Sequence, residues 1–256
     1  MMDLNSKRIV FIDVEVDLDG KTILDIGAIK GDGSTFHSTS VPEFQDFLRG
    51  SKYICGHNIL KHDIKYIENE ISGCGAEFLV DTLYMSPLLF PKKPYHRLVK
   101  DDKLVSGELN NPLNDAKKAR DLLYDEIDAF EKLDQQLKQI YPDLLRNKPE
   151  FKHFFSFVDC KKATPNNCEL IRNAYDGRIC TNAPIEKLAQ KYPIELAYAL
   201  ALIDVIEYDC TTPPWVLKNY PRVENVMTFL RSRNCRSCSY CAEALDEEKA
   251  LKRFFH

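Results

Sequence analysis

The run RIVFIDVEV at residues 8–16 constrains this chain more than any other stretch. Arg8 to Ile12 places β-branched and aromatic residues on both faces of an extended segment, the pattern of a strand buried on both sides. The same strand then continues into Asp13 and Glu15, with Val14 and Val16 interleaved. Side chains two apart share a face, so the two carboxylates converge at the strand's end and repel unless positive charge lies between them. A divalent cation fits that place.

The β-rich runs 8–16, 22–30 and 33–38 are separated by the turn signals DLDG and GDG, so the chain opens as a meander. A helical pattern follows at 42–49, a short apolar strand YICG at 53–56, an amphipathic helix over about 59–71, and LVDTL (79–83) as a strand leading into helix. After the proline-punctuated loop PKKPYHRL, the apolar positions Leu113, Ala116, Ala119, Leu123, Ile127 and Phe130 recur at helical spacing from Pro112. Strands first, then strands alternating with helices, predict an α/β fold around a mixed sheet flanked by helices. Beyond about residue 135 the patterns are helical, at 136–146, 148–158, 166–174, 184–191, 193–208 and 221–232, broken by prolines and the TTPPW segment. Two domains are therefore expected, 1–135 and a mainly helical 136–256.

With 35 Lys and Arg against 39 Asp and Glu, the net charge of −4 excludes a uniformly basic surface. A nucleic-acid partner would be held by local patches, of which KKPYHR (92–97), KKAR (117–120), RSRNCR (231–236) and LKRFF (251–255) are candidates. The start MMDLNSKR lacks the apolar core of a signal peptide and no run reaches the length of a membrane span, which predicts a cytoplasmic protein with no membrane partner. Nine cysteines in that compartment fit thiols or metal ligands better than a disulfide framework.

Two further carboxylates stand at helix starts. Asp63, in GHNILKHDIKYI (56–67), falls early in a helix whose apolar face is Ile59, Leu60, Ile64 and Ile67; Asp115, in NNPLNDAKKARDLL (110–123), falls in the first turn after Pro112. In this order, FIDVEVD, GHNILKHD and NPLNDAKKARDLL resemble the three motifs of the DEDD, or DnaQ-like, 3′–5′ exonucleases, over about residues 8–130. The resemblance implies a ribonuclease H-like fold, with Asp13, Glu15, Asp63 and Asp115 ligating two Mg²⁺ or Mn²⁺ ions for phosphodiester hydrolysis at DNA 3′ ends. The chemistry gives that ligand set a reason: two hard cations about 3.5–4 Å apart neutralise the phosphate and serve both the attacking and the leaving oxygen, and hard cations take oxygen ligands. His57 and Asn58 are then expected to shape the site or touch the terminal nucleotide.

The histidine subgroup of that family carries a histidine five residues before the last aspartate, and the tyrosine subgroup a tyrosine four before it; here those slots hold Asn110 and Asn111. An amide has no titratable base. Two readings follow. Either hydrolysis persists, with Asn110 orienting water or His96 of the KKPYHRL loop supplying the base, or the domain is a degenerate module that binds nucleic-acid ends or a protein partner. Losing a general base costs about 10²–10⁴-fold, which slows such an enzyme without necessarily abolishing it.

In the helical region CRSCSYC sets Cys235, Cys238 and Cys241 at C-x₂-C-x₂-C spacing. A structural zinc needs a fourth ligand, for which Cys210 is the first candidate and His256 the second; the same triplet with a remote cysteine also suits a [4Fe–4S] cluster. Cys55, Cys74, Cys160 and Cys180 read as buried apolar cysteines. The exonuclease-like start, TPPWVLKNYP, the cysteine cluster and LKRFF are together similar to the N-terminal region of large bacterial RecQ-type helicases. That similarity implies a helicase module as covalent or separate partner, and this sequence as a fragment of a longer chain; no GxxxxGK[ST] occurs here to drive one.

Overall fold

The computed structural model describes residues 8–20, 22–93, 96, 98, 111–160, 167–203, 205, 212–231, 235 and 238–243. Asn110, Cys210 and His256, all candidates on sequence grounds, lie outside the described residues. The chain divides into two compact units: 1–86 with 96–130 and 148–160, and 87–95 with 131–147 and 161–256.

The first unit is built on the opening meander. Strands β1 (Ile9–Val16), β2 (Ile23–Lys30) and β3 (Thr35–Ser38) pair antiparallel in sequence, and β4 (Tyr53–Gly56) and β5 (Phe78–Asp81) add in parallel on the other side of β1. The sheet order is β3-β2-β1-β4-β5, so β1 is central and buried on both faces as its composition requires. Its two faces then divide the work. Val10, Ile12 and Val14 pack with Ile26, Ala28 and Ile54 against Phe44 and Leu48 of helix α1 (Val41–Leu48) and Ile67 and Ile71 of α2 (Ile64–Cys74). Ile9, Phe11, Asp13 and Glu15 point the opposite way.

On that opposite face lies the long helix α4 (Pro112–Lys132), which follows α3 (Thr82–Leu89) in chain order. Its buried stripe is Pro112, Asp115, Ala116, Ala119, Leu123, Glu126, Ile127 and Phe130, the i, i+3, i+4, i+7 spacing of one helix face. The start of α4 is pressed onto β2 at Gly27, where an added Cβ would lie 2.0 Å from the Leu113 backbone nitrogen.

The division differs from a single cut at residue 135. After α5 (Leu137–Leu145), helix α6 (Pro149–Phe157) belongs to the first unit and packs on β5. The reason is a patch of rings at the β4 and β5 starts: Tyr53 stacks on Phe78 at 4.9 Å and takes Phe157 edge-on at 4.9 Å. His153 of α6 meets both the N–H and the carbonyl of Leu79.

The second unit comprises α5, α7 (Asn167–Ala174), α8 (Ile185–Lys191), α9 (Pro193–Ile203), α10 (Pro214–Asn219) and α11 (Val223–Leu230). Residues Leu196 to Ala201 of α9 are all buried, so it is the central helix, with α5, α8 and α11 against it. TTPPW does not simply interrupt: Pro213 caps α10 and Pro214 occupies its first turn, where a missing N–H costs nothing. No helix among the described residues is long and apolar enough to cross a membrane.

Candidate functional site

Asp13 and Glu15 sit on one face of β1 just where its pairing with β4 has ended, since that ladder runs only from Ile9 to Phe11. Asp13 lies directly across from Gly27 on β2. Because Gly27 has no side chain, the first turn of α4 settles on that spot and delivers Asp115 from the buried stripe of the helix. Asp13, Glu15 and Asp115 each offer an oxygen within 4.8 Å of the other two. Three carboxylates from two elements thus meet at one sheet end.

Asp63 is not one of that close trio, and it stands at the N-cap of α2 rather than inside the helix. Segment 57–63 does not continue the expected helix because Asp81, at the end of β5, takes the N–H groups of Asn58 at 2.8 Å and Leu60 at 3.1 Å, and Asn58 turns through φ +63°. The Asp63 Oδ1 accepts the Val14 N–H at 2.9 Å. It therefore reaches β1 between the two acidic residues of the strand, and it is 1 % exposed.

The electrostatics tie the four together. Burial, then the charges of Asp63, Asp115 and Glu15 in that order, push the Asp13 carboxyl up from 3.8 to about 8. Without a counter-charge these acids cannot all ionise at neutral pH. Among the described residues, basic groups near the cluster include Lys118, one turn along α4 and 3.8 Å from Asp115, and His62, whose Nδ1 is 3.7 Å from Asp63 Oδ1. The Asp63 carboxylate raises the His62 pKa. His62, half exposed, is a neighbour of the site that sequence reasoning passed over, although it directly precedes Asp63.

The remaining candidates form a second layer. His57 Nδ1 bonds the Thr82 hydroxyl at 2.9 Å, and burial pulls its pKa down to about 4, so it is neutral at pH 7. His96 is buried, its Nδ1 2.7 Å from the Ser86 hydroxyl. The expected substitute base is thus held in a buried polar group with His57, Thr82 and Ser86. Asn111, the tyrosine-subgroup slot, accepts the N–H groups of Leu113 at 3.0 Å and Asn114 at 3.3 Å through its side chain. That is an N-cap, which occupies the amide oxygen.

In the second unit a thiol group forms. Cys180, Cys235, Cys238 and Cys241 each place a sulfur within 4.8 Å of the others. The fourth thiol is Cys180, read from sequence as an apolar core cysteine; it is buried, but among thiols. Burial opposes ionisation of Cys238, yet the N–H groups of Thr181 and Cys241 draw its thiol below the ordinary value, to about 6.

Comparison with family models, curated proteins and solved structures finds no match to this chain.

Proposed function

We propose that the chain is a divalent-cation-dependent 3′–5′ exonuclease acting on DNA 3′ ends, with Asp13, Glu15, Asp63 and Asp115 holding two Mg²⁺ or Mn²⁺ ions. The observation that carries this reading is the meeting of Asp13, Glu15 and Asp115 within 4.8 Å, with Asp63 bonded to the strand between Asp13 and Glu15. The donor set is all oxygen, which selects hard cations. Burial first, and then the neighbouring carboxylates, raise the Asp13 pKa, which is what acids brought together without a counter-charge experience. Ions held by these carboxylates would supply charge to neutralise the phosphate and to activate water. The mixed sheet with flanking helices agrees with the ribonuclease H-like fold that the motifs imply.

The chain's own groups divide the remaining tasks. Asp63 anchors to β1 through Val14, so its carboxylate is fixed in register with Asp13 and Glu15. Lys118 offers a cation beside Asp115 for a phosphate oxygen. His57, neutral and bonded to Thr82, shapes the wall behind the Asn58 turn.

A second reading, a degenerate module that binds 3′ ends without cutting, is favoured by one observation: the Asn111 side chain is committed to capping α4, and His96 to Ser86. A 5′-labelled oligonucleotide separates the two. Stepwise shortening that requires Mg²⁺ or Mn²⁺, and that a blocked 3′ end prevents, supports the enzyme; retention of the intact oligonucleotide with either metal supports the binding module. Asn110→His, restoring the family's base, should raise the rate in the first case by about 10²-fold.

A further inference from the structure

We propose that Cys180, Cys235, Cys238 and Cys241 bind a single zinc ion as a closed tetrathiolate site that holds the end of the helical unit together. The inference stands apart from the nuclease reading, because its residues and its unit are different.

Four thiols at mutual distances under 4.8 Å are close to what one ion requires. With Zn–S bonds of 2.3 Å, a tetrahedron has edges of about 3.8 Å. An iron–sulfur cubane interposes four irons and four sulfides, so its cysteines stand much farther apart than the ligands of one ion. The spacing here fits the single ion. All four cysteines are free thiols, so no disulfide uses them.

Two chain segments far apart in sequence are brought together for this purpose. The Cys180 N–H bonds the carbonyl of Leu230, the last residue of α11, at 2.8 Å, which docks its turn beside the C-x₂-C-x₂-C segment. Arg172 of α7 fixes that turn from behind, donating to the carbonyls of Thr181 at 2.7 Å and Ala183 at 3.2 Å while pairing with Glu186. Around the sulfurs stand N–H donors: the Asn182 side chain donates to Cys235 Sγ at 3.0 Å, and the Thr181 and Cys241 N–H groups face Cys238. Such donors orient thiolate ligands and offset their charge.

The role is structural. Among the described residues, the apolar cluster at this corner is Cys180, Cys238 and Cys241, with Cys235 and Tyr240 packed on it. An ion held by all four sulfurs would tie the two segments together and contribute folding energy directly. Four protein sulfurs also leave no open coordination position for a substrate.

The test uses the full chain purified without added metal and analysed for zinc, iron and sulfide, with X-ray absorption at the zinc edge. The expected result is one zinc per chain, surrounded by four sulfurs at about 2.3 Å. Cys180→Ser should lose most of this zinc, while Cys210→Ser should keep both the zinc and the four-sulfur shell. If Cys180→Ser fails to fold, the Cys210→Ser spectrum still decides which cysteine is the fourth ligand: a shell reduced to three sulfurs there would overturn the assignment of Cys180. Stoichiometric iron with sulfide would overturn the single-ion site, and metal-free protein that takes up no Zn²⁺ after anaerobic reduction would overturn metal binding here altogether.

Discussion

The two ligand clusters of this chain are assembled in opposite ways. The carboxylates come from regular elements, β1, the N-cap of α2 and the first turn of α4, whose positions are set by the sheet and its apolar faces. The thiols come from a turn at Cys180 and from a short C-terminal segment in which 239–243 form a single helical turn. In the first case the fold holds the ligands, and both burial and their mutual repulsion are tolerated, as the raised Asp13 pKa records. In the second, with the proposed zinc bound, the ligands would hold the fold. A cation at the first cluster is therefore expected to exchange without unfolding the unit, and one at the second to be inseparable from local structure.

The strongest way to break this contrast is to neutralise one ligand on the carboxylate side. Asp115→Asn should lower hydrolysis by about 10³-fold or more, since metal stabilisation of the transition state is worth several kcal/mol and each 1.36 kcal/mol is tenfold. Its zinc content and circular dichroism should match the wild type. An Asp115→Asn protein that cuts at the wild-type rate removes the carboxylates from catalysis.

Gly27→Ala attacks the same cluster without touching a ligand. Its Cβ would meet backbone atoms of Pro112 and Leu113 at 2.0–2.5 Å, and backbone cannot rotate aside. The helix start must shift, moving Asp115 away from Asp13. Overpacking of this kind costs about 1–3 kcal/mol, and a displacement near 1 Å costs about 10²-fold in rate. Wild-type stability and rate in this variant would mean that the α4 start is not what places Asp115.

How much of this was legible in the sequence follows from which contacts are local. The strand with paired acids, the proline-started helix and the C-x₂-C-x₂-C run are short-range patterns, and each is found where its spacing put it. Gly27 gave no signal, because its value lies in a contact with Leu113, which sequence distance conceals. Cys180 gave none either. A single cysteine in a turn carries no spacing, so Cys210 read as the nearer partner for the triplet. The placement of α6 was hidden for the same reason: its helical period is plain, but contacts with Tyr53, Phe78, Leu79 and Phe130, distant in sequence, decide which unit receives it. Segment 57–63 departed from helix because a distant acid, Asp81, claimed its N–H groups.

The pH dependence of stability sharpens the contrast further. Asp13 titrates at about 8 in the folded chain against 3.8 ordinarily. Below about pH 4 the group is protonated folded or unfolded and nothing is lost. As pH rises from there toward 8, the unfolded chain releases the proton more readily, so stability of the Mg²⁺- and Mn²⁺-free protein falls through that window. Asp13→Asn, which cannot ionise, should raise the melting temperature by about 5 °C at pH 8 and hardly at all at pH 4. Calorimetry at the two pH values checks this, and equal shifts at both would show that Asp13 ionises freely.

The smallest expected effect separates capping from chemistry at Asn111. Its side chain accepts the N–H groups of Leu113 and Asn114, and losing such a cap costs about 1 kcal/mol. For a chain of this size that lowers the melting temperature by about 2–4 °C. Asn111→Asp keeps an acceptor there and should restore the loss, with added benefit from a negative charge at a helix start. Hydrolysis by Asn111→Ala should stay within about tenfold of the wild type, because general acid–base help is worth at least about 10²-fold where it operates. A larger loss of activity without the loss of stability would make Asn111 a participant in the reaction. The reverse outcome leaves it as the residue that starts α4 and so sets the height at which Asp115 meets β1.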